Sequence, residues 1–190
     1  MARPRKFEEE RAVEAAILAF WDAGYEATST QDLCTATGLG RSSIYNTFVS
    51  KHDLYERALR HYMAGQNAQL AELMESELPI QEKIRTVLQR AIDPDPDDPA
   101  GCMVVNALVE LGPHDPQIAE LLRRNNDSRI QTIRAAIETA RARGELATTH
   151  DPLALAHFVS TTVGGLRVAA RGGADRATLE SIANVALATF

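Results

Sequence analysis

Apolar positions recur at three- and four-residue spacing along the chain, and no period-two run bounded by hairpin turns interrupts them. Val13, Ile17, Phe20 and Trp21 share one stripe, which predicts a first helix from Phe7 to Ala23, stopped by Gly24. Short helices are expected over Thr30–Thr37, with Thr28 or Ser29 as N-cap, and over Arg41–Phe48. A fourth starts at Lys51 and reaches Glu75. Pro79 opens a fifth, whose face is Ile80, Ile84, Val87, Leu88 and Ala91. Met103–Leu111 reads as a short apolar helix ended by Gly112-Pro113. Asp115-Pro116 opens a long helix to Arg143, with Ile118, Leu121, Leu122, Ile130, Ile133, Ile137 and Ala140 on its buried side. Asp151-Pro152 opens another, to Arg171, and Asp175 begins the last, which runs to Phe190. The expected fold class is all-α, with nine helices and no internal repeat.

Composition narrows the function classes. The chain has 190 residues, 45% of them hydrophobic and 24% charged, which suits an ordinary globular fold. No window approaches 18 apolar residues, so no membrane-spanning helix and no membrane partner are expected. The stretch Met1–Phe7 has the charge of a signal segment without the apolar run behind it, so secretion is not expected. Cys34 and Cys102 lie far apart; they exclude a disulfide framework and a cysteine zinc finger, and fit a reducing cytoplasm. Net charge is −6, and residues 1–60 carry 8 Lys and Arg against 9 Asp and Glu. Nucleic-acid binding would therefore need a local cluster rather than a global basic field. Asp93–Pro99 holds four aspartates between three prolines; an exposed loop is preferred over a calcium site, because the prolines oppose a coordinating wrap. His52, His61, His114, His150 and His157 lack tight ligand spacing, and no phosphate loop, nucleophile elbow or HExxH occurs. No metal, cofactor or enzymatic activity is expected.

Residues Thr30–Phe48 satisfy the physics of a helix-turn-helix. Two short helices that cross closely need a small residue in the first and a glycine in the turn. Leu33 is the core position, Cys34 the small residue and Gly38 the turn, while Leu39, Ile44 and Phe48 lock the second helix onto the first. Arg41, Ser42, Ser43, Tyr45, Asn46 and Thr47 then form an exposed face short enough to touch base edges and phosphates. The spacing alone also fits a plain helical hairpin with a polar surface.

The flanks decide between these. The run Phe20-Trp21-Asp22-Ala23-Gly24-Tyr25-Glu26-Ala27-Thr28-Ser29, then Leu33, then Gly38 through Phe48, then Ser50-Lys51-His52-Asp53-Leu54, resembles the TetR family of transcriptional regulators. Cys34 and Thr37 stand where that family usually has alanine, and Thr47 where an aromatic or histidine is common. The resemblance implies that Arg41, Ser42 and Ser43 face the major groove and that Tyr45 and Asn46 hold phosphate or a base edge. Lys51 would grip phosphate from the start of the fourth helix, helped by the helix dipole and the preceding cap Ser50. Thr28 or Ser29 would do the same from the second helix. Arg3, Arg5 and Lys6 read equally as a basic arm and as a frayed terminus.

The same resemblance implies a helix-turn-helix domain over residues 1–50 and a ligand-binding and dimerisation domain over residues 51–190, with the helix from Lys51 connecting them. A homodimer seam would use Leu153, Ala156, Val163, Gly164, Gly165 and Leu166, with Leu179, Ile182, Ala186 and Phe190 from the last helix. The paired mid-helix glycines cost helix propensity, and a close crossing would explain them. An effector cavity would draw on Tyr62, Met63, Leu70, Met74, Met103, Asn106, Ala107 and Glu110, with Ile133, Ile137, Phe158 and Thr162. Asn106 and Glu110 share a face of an apolar helix and suggest a polar clamp; a core asparagine with a rim glutamate is the plainer reading. Cys102, at a helix start, reads either as a reactive thiol or as a small buried residue. The function implied is a ligand-responsive repressor, binding a palindromic double-stranded DNA operator as a homodimer and released by a small-molecule effector. Control by cysteine chemistry or by a protein partner is the alternative. An enzyme or carrier with a vestigial helix-turn-helix is the rival from another class.

Overall fold

The structure, a computed structural model, describes residues 3–93, 99, 101–146 and 150–190, with side chains from Glu9 onward. The Asp-Pro stretch after Asp93, whose sequence fits an exposed loop better than a calcium site, lies almost wholly outside the described residues. Among the described residues the chain forms nine helices and no strand. They are α1 (Arg3–Ala23), α2 (Thr30–Thr37), α3 (Arg41–Thr47), α4 (Lys51–Glu75), α5 (Ile80–Ile92), α6 (Met103–Glu110), α7 (Pro116–Ala142), α8 (Pro152–Arg171) and α9 (Arg176–Leu187). The backbone of Arg3, Arg5 and Lys6 belongs to α1 and does not precede it.

Side-chain caps explain most of the starts. Ser29 and Asp32 form a reciprocal capping box on α2. Asp115 accepts from the N–H groups of Gln117 and Ile118 at the start of α7. Asp151 and Asp175 accept from Ala154 and Thr178 at α8 and α9. Pro79 is the N-cap of α5 rather than its first residue. α9 ends at Leu187, short of Phe190.

The chain separates into two compact units, Met1–Gly65 with Cys102–Glu120, and Gln66–Gly101 with Leu121–Phe190. The first therefore takes in α6 and the first turn of α7, which a boundary at residue 50 would have assigned elsewhere. Its core is built on Phe20, Trp21, Leu33, Ile44, Phe48, Leu54, Tyr55 and Leu59. The rings of Phe20 and Tyr25 each meet Tyr55 at 4.9 Å between centroids. The second unit packs α5 against α8 and α9, and buries Ile80, Ile84, Leu88, Ile130, Ile133 and Ile137 with residues of both. Asn125, nearly buried in α7, accepts from Asn67 at 2.8 Å, so its polar end is satisfied within this unit.

α8 departs from expectation in one respect. Its mean hydropathy of 1.3 makes it long and apolar enough, by length and composition, to cross a membrane. The packing accounts for this. One face buries Leu155, Ala156, Val159 and Leu166 in the core, and a second apolar stripe stays open.

Candidate nucleic-acid interface

The α2–α3 pair begins at the Ser29–Asp32 box and turns at Gly38, whose φ of 69° lies in the left-handed region. A Cβ there would meet nothing within 4 Å, so the glycine is needed for its backbone conformation and not for close approach of the helices. The Thr37 hydroxyl donates to the Leu33 carbonyl and accepts from the Leu39 N–H, which closes the turn. Ile44 and Phe48 anchor α3 from beneath. This leaves Arg41, Ser42, Ser43, Tyr45 and Asn46 exposed on the opposite side, with Thr47 half-buried. The Tyr45 hydroxyl lies 3.0 Å from that of Thr30, and the Arg41 guanidinium sits 5.9 Å from the Tyr45 ring centre. The face thus carries donors, acceptors and one cation, and no carboxylate on α3.

Ser50 accepts from the Asp53 N–H at 3.0 Å, as expected of a cap for α4. Lys51 follows it. Its ammonium stands 4.4 Å from the Tyr25 ring centre and 3.5 Å from the Glu26 carbonyl. Burial, then the charges of Glu26, Asp115 and Glu110, push the Tyr25 hydroxyl above its ordinary pKa. Thr28 is a correction: it is 1% exposed, and its hydroxyl donates to the Gly24 carbonyl at 2.6 Å. It braces the α1–α2 turn through that bond, while Ser29 remains exposed.

Two groups that the sequence placed at a cavity turn out to hold this head together. Glu110 accepts from the N–H groups of Tyr25 at 2.9 Å and Glu26 at 2.8 Å. Asn106 donates to the Trp21 carbonyl at 3.2 Å. Their shared face was legible from the i,i+4 spacing; its partner, the end of α1, was not. His52 and Asp115, paired at 2.6 Å, add a further tie that no sequence motif announced. Burial works to raise the Asp115 pKa, but hydrogen bonds from Ile118, His52 and Gln117 hold it below the ordinary aspartate value.

The other ligand candidates scatter. Tyr62, Met63, Met103 and Ala107 are buried in the first unit, and Ile137 in the second. Phe158 is exposed, and Thr162 donates to its carbonyl at 2.8 Å. Met74 lines a cavity of about 380 Å³ in the second unit. Cys102 is the N-cap of α6, half-buried, with the Tyr62 hydroxyl 3.8 Å from its sulfur.

The seam candidates also need correction. Ala156, Leu166, Leu179 and Ala186 are buried in the core of their own chain, and Leu153, Val163 and Phe190 pack against it. Of the seam candidates, Gly165 and Ile182 are exposed and Gly164 is half-buried. The open stripe comprises Phe158, Gly165 and Val168 on α8, with Ile182 and Val185 on α9. A Cβ built on Gly164 or Gly165 would meet nothing within 4 Å, so nothing in the protomer accounts for the pair.

Residues 12–58 match the family described as bacterial regulatory proteins, tetR family, and residues 80–186 match the tetracyclin repressor-like C-terminal domain. The chain is 31% identical to the uncharacterized HTH-type transcriptional regulator YezE of Bacillus subtilis, over 100% of both chains. It is 30% identical to the HTH-type transcriptional repressor ComR of Escherichia coli, over 97% of this chain and 90% of that one. Its fold is similar to that of a cysteine mutant of the TetR family transcriptional regulator CifR complexed with 26bp double-strand operator DNA. The TM-score is 0.84 at 26% identity, covering 95% of each chain.

Proposed function

The chain belongs to the TetR family of transcriptional regulators, and on that footing we propose that it is a repressor that binds a two-fold operator as a homodimer and is released by a small-molecule effector. The observation that carries the reading is the exposed row Arg41, Ser42, Ser43, Tyr45 and Asn46 around buried Ile44, with Lys51 at the start of α4 in the same unit. Arg41 and the serines present donors for base edges and phosphates; Lys51 and the helix start beneath it suit a phosphate. A net charge of −6 makes this local cluster responsible for attraction.

The open apolar stripe on α8 and α9 supports the dimer. An apolar surface of this kind gains by leaving water, and the glycine pair would let a second copy approach closely. A two-fold dimer sets its recognition helices about 34–36 Å apart, one turn of DNA. An effector then acts only through its unequal affinity for the operator-competent geometry and for another. ComR's description as a repressor supports the sign of the regulation.

The test is footprinting of the purified protein on genomic DNA upstream of its own gene, with salt titration of any site found. A palindromic protected site with steep salt dependence is expected. Absence of protection, or binding indifferent to Arg41→Ala and Lys51→Ala, would overturn the reading.

A further inference from the structure

The cavity of about 380 Å³ in the second unit has one feature that the fold alone does not explain. Lys83, on α5, lines it and is 8% exposed. Its ammonium donates to the Met74 carbonyl at 2.8 Å, one of the last carbonyls of α4, where a cation is favoured. An ammonium has three donors, and this bond uses one. Among the described residues no carboxylate forms an ion pair with it. The two remaining donors can serve an anion, and a hydrogen bond from an ammonium to a carboxylate is charge-assisted.

The surroundings define what that anion could be. Ala71, Ala136 and Ala140, with Met74, give the cavity that Lys83 lines an apolar wall of mostly small side chains. Glu75, Glu77, Glu145 and Arg143 also line it, and Arg143 pairs with Glu145 at 3.9 Å. Glu145 is spoken for, since it accepts from the Ile80 N–H at the start of α5. Glu75 and Glu77 are exposed, so water and salt screen them, yet they oppose a second negative charge near the mouth. The cavity sits at the small end of the range for small-molecule sites, about 300–1,000 Å³.

We propose that this cavity binds a small apolar monocarboxylate, its carboxylate on Lys83 and its tail along the alanine wall, and that such a molecule is the effector. The second half rests on the repressor reading above. The first stands on the cavity and its buried cation.

Calorimetry of the full-length protein with octanoate, in the absence of DNA, tests the site. Saturable binding with one molecule per protomer is expected. Suberate, which adds a second carboxylate, and octanol, which removes the charge, are expected to bind roughly ten- to a hundred-fold more weakly, the span of a charge-assisted hydrogen bond. Lys83→Met keeps the apolar stem and removes the charge, and it abolishes the preference for octanoate over octanol. Because Lys83 also caps α4, Ala136→Leu serves as the independent variant: it fills the wall, leaves Lys83 in place and blocks binding while helix content stays unchanged. Octanoate that fails to bind, binds Ala136→Leu as well as wild type, or binds more weakly than octylamine overturns the site. Octanoate that binds without weakening an operator complex overturns its role as effector. Failure of the ligand-free protein to bind any DNA strikes the repressor reading instead, and leaves the calorimetry to judge the site.

Discussion

The carboxylate of Glu110 accepts the backbone N–H of Tyr25 at 2.9 Å, across 85 residues of sequence. The same carboxylate takes the N–H of Glu26, so one side chain satisfies two donors of the turn that follows α1. Gly24 permits this approach. Its φ is +87°, and a Cβ on it would stand 2.9 Å from the Glu110 carboxylate. Glu110→Ala is expected to cost about 1–3 kcal/mol, because it strips two donors of a charged acceptor. Glu110→Gln restores part of that, since the amide oxygen still accepts. Gly24→Ala strains the backbone and crowds the carboxylate together, at about 1–2 kcal/mol. Urea unfolding of the three variants checks this; an unchanged midpoint for Glu110→Ala would show that the two bonds contribute nothing net.

On the DNA face, Arg41 and Lys51 are expected to fail differently. Arg41→Ala removes an exposed guanidinium at the start of α3, and weakens specific binding by about 1–3 kcal/mol if it reads a base. Lys51→Ala weakens specific and non-specific binding together and lowers the salt slope by about one, as a phosphate contact does. Lys51 is also held against Tyr25 and Glu26, so thermal unfolding must be measured beside the anisotropy titrations to separate lost contact from a loosened turn.

Which parts of this were legible beforehand follows from which interactions are local. α2, α4 and α8 have the limits expected from caps and punctuating residues: the Thr28-Ser29 pair, of which Ser29 is the cap, Ser50 before Lys51, and Asp151 with Pro152 act within one turn. The helix-turn-helix was legible for the same reason. What a helical face packs against is not local. Leu166 and Ala186 carry the right periodicity for a seam and for a core, and only the three-dimensional arrangement shows that they are core. Asn106 and Glu110 were correctly paired on one face, yet a periodicity carries no information about the α1 turn they bind. Thr28 and Ser29 are adjacent and chemically alike; burial, which composition does not encode, separates them.

That division between seam and core makes a contrasting pair of substitutions. Val168→Asp, on the open stripe, is expected to shift the assembly toward monomer and leave the protomer folded, since the residue is 57% exposed. Leu166→Ala, two positions earlier and 1% exposed, is expected to lower stability by about 2–5 kcal/mol through loss of core packing. Sedimentation velocity read beside circular dichroism distinguishes them. A Val168→Asp protein that sediments as wild type would remove the α8 stripe from the proposed interface.

The last expectation concerns alkaline pH. Tyr55 is 2% exposed, between Phe20 and Tyr25 in the core of the first unit. Burial, and then the nearby charges of Glu110 and Tyr25, raise its pKa well above the ordinary value of 10.0. A raised pKa means that the folded chain holds the phenol proton more tightly than the unfolded chain. The resulting stability is fully present below the unfolded value and is lost as pH rises past it. Thermal unfolding should therefore be insensitive to this group at neutral pH and fall progressively above about pH 10. Tyr25, whose pKa is also raised, adds to the same limb. Tyr55→Phe keeps the ring contacts and removes the titration, so its melting temperature should decline less steeply above pH 10 than that of the wild type. Asp115 acts on the opposite limb. Its pKa lies below the ordinary 3.8, so its contribution is present above that value and lost as pH falls through the lowered one. Asp115→Asn should flatten the acid limb and leave the alkaline one unchanged. Equal alkaline slopes for Tyr55→Phe and wild type would mean that the phenol is not what the folded core holds protonated.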